Sequence, residues 1–238
     1  MCIKVFSVLM LMFTLGHWSL AQGIGISAGL NISSVYIQQS ETPNTFYEGY
    51  HSIVNPNLSA NYEFPLMQNL GLRLDFGYTG KGFGYKNENS NIYTVGADEF
   101  TEYSKIESMV RLSYLQFIPT LKYNINIGSK TNLYAMLGPY CSFAIYGNSK
   151  TSQLYVYNDP FSSNDLSQTN NETIEFGQNG DGISYFDFGF TPGFGCTLDK
   201  FYLEASYVLG LKNIDLSNDP DFRVLNRTPS LKLGYLFL

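Results

Sequence analysis

The chain has 238 residues, with 14 lysines and arginines against 20 aspartates and glutamates, for a net charge of −6. It therefore lacks the basic stripe that nucleic-acid binding needs. Mean hydropathy is −0.09 despite 19 tyrosines and 18 phenylalanines, which excludes a helical membrane protein but not a barrel, whose spans alternate between two faces and average out.

Residues 1–21 read as a cleaved export signal. Lys4 supplies the positive start, Val5 to Leu15 form an apolar run too short to cross a bilayer as a helix, and Ser19-Leu20-Ala21 fits the small-x-small cleavage pattern. Gln22 is then the expected mature N-terminus, and 22–238 is expected to be a single barrel domain, since neither a linker composition nor a repeat divides it. Cys2 lies at the wrong end of the signal for lipidation.

After the signal, period-two alternation recurs where a helical period does not, which is the pattern of strands with two different faces. Ile24, Ile26, Ala28, Leu30 and Ile32 alternate with Gly25, Ser27, Gly29, Asn31 and Ser33. A second strand is expected near 53–64. In the third, Leu70, Leu72, Leu74, Phe76 and Tyr78 alternate with Gly71, Arg73, Asp75, Gly77 and Thr79. Weaker alternation marks 112–125, 132–146 and 185–198. Phe201 to Leu211 and Ser230 to Phe237 complete a set of eight. Cys141 and Cys196 fall at different heights on neighbouring strands, which argues against a disulfide.

The connections sort into two classes. Pro65 to Asn69, Asn126 to Thr131 and Asp199-Lys200 are short, whereas 34–52, 81–110, 147–184 and 212–227 are long, polar and expected to be mobile loops. Short turns on one side and long loops on the other predict an all-β, eight-stranded antiparallel up-and-down transmembrane β-barrel, with the turns periplasmic and the loops extracellular.

Charge placement indicates which face meets lipid. Arg73, Lys122 and Lys232 share the polar face, and each would cost about 2 to 4 kcal/mol near the bilayer midplane. They are expected to point inward and to form a lumen charge network with Asp75, Asp187 and Glu204. Eight strands leave an interior that side chains fill, so a plugged lumen is expected. Tyr62, Tyr78, Tyr123, Phe201 and Phe237 are candidates for the interfacial girdles. Pro119, Pro139 and Pro192 fall inside predicted strands, and a bulge or rim position is expected at each.

Candidate chemistry is sparse. His51, beside Ser52, is the one histidine after the signal; a catalytic constellation around it would need acids from other loops. The acidic loop residues Asp159, Asp165, Glu172, Glu175 and Asp181 have no calcium-loop spacing and no His/Cys cluster beside them. No catalytic residue, metal or cofactor is expected, and the chain is not expected to be an enzyme.

Several pieces together resemble the PorT-like group of small outer-membrane barrels, related in fold to the OmpA and OmpX barrels. They are Gly25-Ile26-Ser27-Ala28-Gly29-Leu30-Asn31; Tyr114-Leu115-Gln116-Phe117-Ile118-Pro119 followed by Lys122-Tyr123; Leu137-Gly138-Pro139-Tyr140; Asp187-Phe188-Gly189 with Gly193-Phe194-Gly195; and Tyr207 to Ile214. The chain departs from that pattern at Ser27 and by ending on Leu238 rather than an aromatic. The resemblance implies a location, the outer membrane of a Gram-negative bacterium, and a fold rather than a reaction. The expected partners are outer-membrane lipid and lipopolysaccharide, the barrel-insertion machinery, and an extracellular, envelope or secretion-complex protein met through the loops. Two other readings stay open: a secreted soluble barrel that binds an apolar ligand, and an outer-membrane lipid hydrolase using His51.

Overall fold

The computed structural model describes residues 23–39, 49–95, 98–158, 165–177, 182–217 and 222–237; the predicted export signal and Gln22 lie outside them. Eight antiparallel strands form a closed ring in sequence order: β1 (Gly23–Gln39), β2 (Ile53–Pro65), β3 (Leu70–Val95), β4 (Asp98–Asn126), β5 (Thr131–Asn158), β6 (Phe186–Leu198), β7 (Phe201–Gly210) and β8 (Phe222–Leu236). The first and last strands close it, from Gly25↔Leu236 to Gln39↔Phe222. A closed ring leaves no sheet edge, so each backbone donor and acceptor within it faces a neighbouring strand.

Three short connections gather at one end, after Pro65, Asn126 and Leu198. The tightest is Asp199-Lys200, where Asp199 takes a φ of 55°, a left-handed conformation that aspartate tolerates better than most residues. At the other end the described parts of the segments expected to be mobile loops are largely strand. β3 and β4 stay paired beyond the ring up to Val95↔Asp98, covering nearly all of 81–110. β5 continues to Asn158, and a further strand, Leu166–Thr173, pairs with it. A two-residue strand, Tyr50–His51, pairs with β3. The sequence signal was absent because a sheet with water on both faces needs no apolar alternation; backbone pairing and polar side-chain contacts hold it.

The prolines are not bulged. β4 and β5 pair at Phe117↔Cys141 and again, in the same register, at Leu121↔Leu137, so Pro119 lies opposite Pro139. Neither has an N–H, and facing each other they confine the missing donors to one rung. A Cβ on Gly138 would collide with the Pro119 carbonyl oxygen, so only glycine lets the two strands approach there. Pro192 sits likewise in an unbroken register, between Phe190↔Leu209 and Gly193↔Ser206. The one register shift between β4 and β5 is at Ser113/Tyr114, away from any proline.

The faces are inverted relative to a soluble protein. Leu30, Leu58, Phe76, Leu121, Leu137, Phe194, Leu203 and Leu233 are exposed on the outside, whereas the largest fully buried side chains include Arg73, Lys81, Glu204 and Asn31. Going from the turn end outward, β3 points Arg73, Asp75, Thr79 and Lys81 into the ring, and Phe83 then packs against an apolar cluster of Val35, Ile37, Leu112, Tyr114, Ile214 and Val224. That cluster lies at the end of the ring away from the turns. Ile174, Phe176 and Ile183 pack onto it, fixed by backbone bonds such as Ile174 N to Gly147 O (2.9 Å) and Ser184 N to Ile214 O (2.8 Å).

Candidate functional site

The interior charges form two layers rather than one network. In the layer near the turns, Arg73 Nη1 donates to Glu204 Oε2 (2.9 Å) and Nη2 to Asp75 Oδ1 (2.8 Å), with Glu63 3.8 Å away. Lys122 Nζ donates to both oxygens of Glu63, at 2.8 and 2.9 Å, and Lys232 Nζ lies 3.7 Å from Glu204. Three bases thus face three acids. Tyrosines fill the gaps: Arg73 lies 4.8 Å from the Tyr202 ring centre and Lys122 4.3 Å from that of Tyr134, while Tyr134 Oη donates to Glu204 (3.2 Å).

Above it, Lys81 Nζ meets Asp187 Oδ2 at 2.8 Å with both side chains fully buried. Tyr140 Oη (3.0 Å) and Asn226 Nδ2 (2.9 Å) donate to the same oxygen. Lys81 also stacks over the Tyr140 and Tyr114 rings at 4.5 and 5.0 Å. Between the layers run uncharged partners: Asn57 donates to Asn31 Oδ1 (3.1 Å) and Ser230 (3.3 Å), and Asn31 to Thr79 (2.8 Å).

The structure therefore brings Arg73, Asp75, Lys122, Glu204 and Lys232 together. Asp187 stands apart, and its partner is Lys81, which the sequence reading had placed in a loop. Glu63, the bridge between Lys122 and Arg73, was also missed. Both were legible by parity: Lys81 continues the odd-numbered face of Arg73, and Glu63 that of Asn57 and Asn61. Taking ions out of water costs several kcal/mol each, and only close pairing with further hydrogen bonds offsets it.

Beyond the ring, β3, β4, β5 and Leu166–Thr173 form a four-stranded sheet standing clear of the barrel. One face carries an exposed charge ladder, Lys86 to Glu88 (2.8 Å) and Lys105 to Glu107 (2.8 Å). Hydroxyls pair across it, as in Ser108 with Thr151 (3.0 Å) and Ser152 with Thr169 (3.2 Å). Its edges differ. The β3 edge carries Lys86 and Glu88, whereas among the described residues Leu166–Thr173 pairs with β5 alone and is exposed throughout.

His51 lies at the base of this sheet, exposed, with Nδ1 3.4 Å from Gly49 O. Among the described residues no acid is placed on it. Among the described residues no group of His, Cys, Asp or Glu is arranged to hold a metal, and Cys141 and Cys196 are free thiols.

A profile of the outer membrane protein beta-barrel domain matches residues 20–216, most of the chain. The protein belongs to that family. Solved structures resembling it include Ail, the attachment invasion locus protein of Yersinia pestis, in complex with the heparin analogue sucrose octasulfate (16% identity over 92% of this chain and 100% of that one, TM-score 0.32). Neisserial surface protein A is similar at 15% identity, over 89% and 96%, with a TM-score of 0.32. The translocator domain of autotransporter NalP from Neisseria meningitidis matches at 10% identity, over 98% and 94%, with a TM-score of 0.26. Superpositions this loose add nothing to the family assignment, which stands on the matched residues. No curated protein matches the chain.

For an outer-membrane barrel the outward apolar band is the lipid-facing surface. Phe201, Tyr235 and Phe237 pack edge to face at its turn end, with centres 5.1 and 5.2 Å apart; Tyr123 is exposed at the same end on the other side of the ring, and Tyr62 meets Phe64 edge to face (4.3 Å). Tyr78 marks the opposite border, its hydroxyl 2.8 Å from Ser113 Oγ. Aromatic rings at both borders suit the membrane interfaces, where one end of the ring is dry and the other wet.

Proposed function

We propose that this small integral outer-membrane barrel has a plugged lumen and serves to hold its protruding sheet outside the cell, where the edge strand Leu166–Thr173 binds an extended segment of an extracellular or envelope protein. The observation that carries this is the contrast between the two sheet edges. Proteins blunt exposed edges with charge or proline. The β3 edge is blunted by Lys86 and Glu88, while Leu166–Thr173 carries no proline and a single charge, Glu172, next to its end, and among the described residues no strand pairs with its outer side, leaving a row of backbone donors and acceptors for strand addition. The charge layers and the apolar mouth fill the interior, which supports a structural rather than a conducting lumen. Among the described residues no side-chain constellation favours catalysis, and the protein is read as a binding module rather than an enzyme. Export with cleavage before Gln22 and membership of the PorT-like group belong to the same reading.

The test is selection of peptides on the detergent-solubilised barrel, repeated with Thr169→Pro and Asn171→Pro. Binders are expected to be extended segments that lose affinity for both variants. Binders indifferent to both would sink strand addition. Planar-bilayer recordings are expected to lack large stable pores, and N-terminal sequencing of the mature protein is expected to start at Gln22.

A further inference from the structure

Two bases stand outside the barrel where its lipid-facing wall ends, on the side away from the turns. Leu211 closes the outward row of β7, its amide donating to Phe188 O (2.9 Å). Lys212 follows, with Nζ 5.3 Å from the centre of the outward Phe186 ring. Arg227 is an outward residue of β8, opposite Ser34 on β1 and Leu209 on β7. Below it the same row reads Pro229, Leu231 and Leu233. Its guanidinium lies 5.5 Å from the Tyr36 ring centre, and Nη1 donates to Gly210 O (2.6 Å) and Asn226 O (2.9 Å).

Those two backbone bonds pin Arg227 beside Gly210, two residues before Lys212. Among the described residues, neither base has a carboxylate within 4.0 Å. Every interior base, by contrast, has an acidic partner. Lys212 and Arg227 are also only partly exposed, held against aromatics where the outward apolar rows end. Arg223 sits four residues farther out on the same strand, exposed and opposite Gln38.

We propose that Lys212 and Arg227 form a clamp for the phosphate of a phosphorylated glycolipid of the outer leaflet, whose acyl chains lie on the wall of Leu209, Leu211, Phe188 and Leu231. The inference rests on the outer-membrane reading above, and on the extended-strand end facing outward. A guanidinium held by one nitrogen keeps the remaining N–H groups of its fork for phosphate oxygens. The ammonium adds a point charge beside it. Each base near a charged lipid surface contributes by attraction to anionic headgroups, and here the apolar wall directly below supplies a place for the chains.

The test uses the full barrel in neutral detergent and three probes: lipopolysaccharide, phosphatase-treated lipopolysaccharide and phosphatidylglycerol. The wild type is expected to bind lipopolysaccharide most tightly, and the pair Lys212→Ala, Arg227→Ala to weaken it roughly 30-fold. The swapped pair Lys212→Arg, Arg227→Lys is expected to keep most of the affinity. Lys130→Ala with Lys200→Ala, at the turn end, is expected to leave it unchanged. Equal binding of the phosphatase-treated lipid, or of lipopolysaccharide to the double alanine variant, overturns the clamp. Equal binding of phosphatidylglycerol overturns the glycolipid assignment. If the alanine pair does not fold, the phosphatase arm on the wild type decides. Failure of the outer-membrane reading shows separately, as wild-type protein that stays soluble without detergent.

Discussion

Lys81 and Asp187 meet at 2.8 Å inside the barrel with neither side chain reaching solvent. Asp187 comes from β6 and Lys81 from the point where β3 leaves the ring, so the pair ties the membrane-embedded wall to the base of the protruding sheet. Lys81→Met leaves a buried carboxylate without its counter-charge and is expected to cost about 3 to 5 kcal/mol. Lys81→Met with Asp187→Leu is expected to recover most of that loss. Urea unfolding in lipid vesicles measures both; a double variant as unstable as the single one would show that the pair is not coupled.

Arg73 holds two acids directly and has a third 3.8 Å away, whereas Lys232 approaches only Glu204, at 3.7 Å. Arg73→Gln is therefore expected to destabilise by about 3 kcal/mol or more, and Lys232→Met by clearly less, because Glu204 keeps its closer contact with Arg73. The order of the two urea midpoints checks this.

Ile214, 2% exposed, sits in the apolar mouth and joins it to β8 through its amide bond to Val224 O (2.9 Å). Ile214→Ala is expected to cost about 2 to 5 kcal/mol and to speed amide exchange in 182–217 while the turn end stays protected. Unchanged protection there would mean that the mouth is held by backbone bonds alone.

Leu233, exposed on the wall, is next to Lys232, which faces inward. Leu233→Arg is expected to cost about 2 to 4 kcal/mol or to block insertion, read as loss of the heat-dependent gel shift. A tolerated arginine would place that face in water.

In the protruding sheet, Glu107 is held below the ordinary carboxylate range chiefly by the hydrogen bond from Lys105, and Glu88 chiefly by that from Lys86. A depressed folded value means that the contribution is present above the ordinary glutamate pKa, about 4.3, and is lost as pH falls through the lower folded value. Both pairs are exposed, so the effect is local. At about pH 3, amide exchange corrected for its intrinsic rate is expected to quicken in 84–109 while the ring is unaffected.

What was legible in the sequence followed from the bilayer. Wherever one face meets lipid and the other a polar interior, side chains must alternate, and the eight ring strands and three short turns were read from that. Arg73, Asp75, Lys122, Glu204 and Lys232 were placed inside because a base on the lipid face is too costly. Lys81 escaped because it opens the long polar segment 81–110 expected to be a loop, though its parity continued that of Arg73 and Asp75. The paired extensions of β3, β4 and β5 escaped for another reason. With water on both faces they have no alternation to read.

The sequence by itself determined which side of each membrane strand is greasy and where the chain turns, because those choices are local and the two solvents enforce them residue by residue. Only the tertiary structure decided who pairs with whom: Asp187 with Lys81, Glu63 between Lys122 and Arg73, Pro119 facing Pro139. Partners in a closed ring are set by register and stagger between strands, and these are properties of all eight strands together.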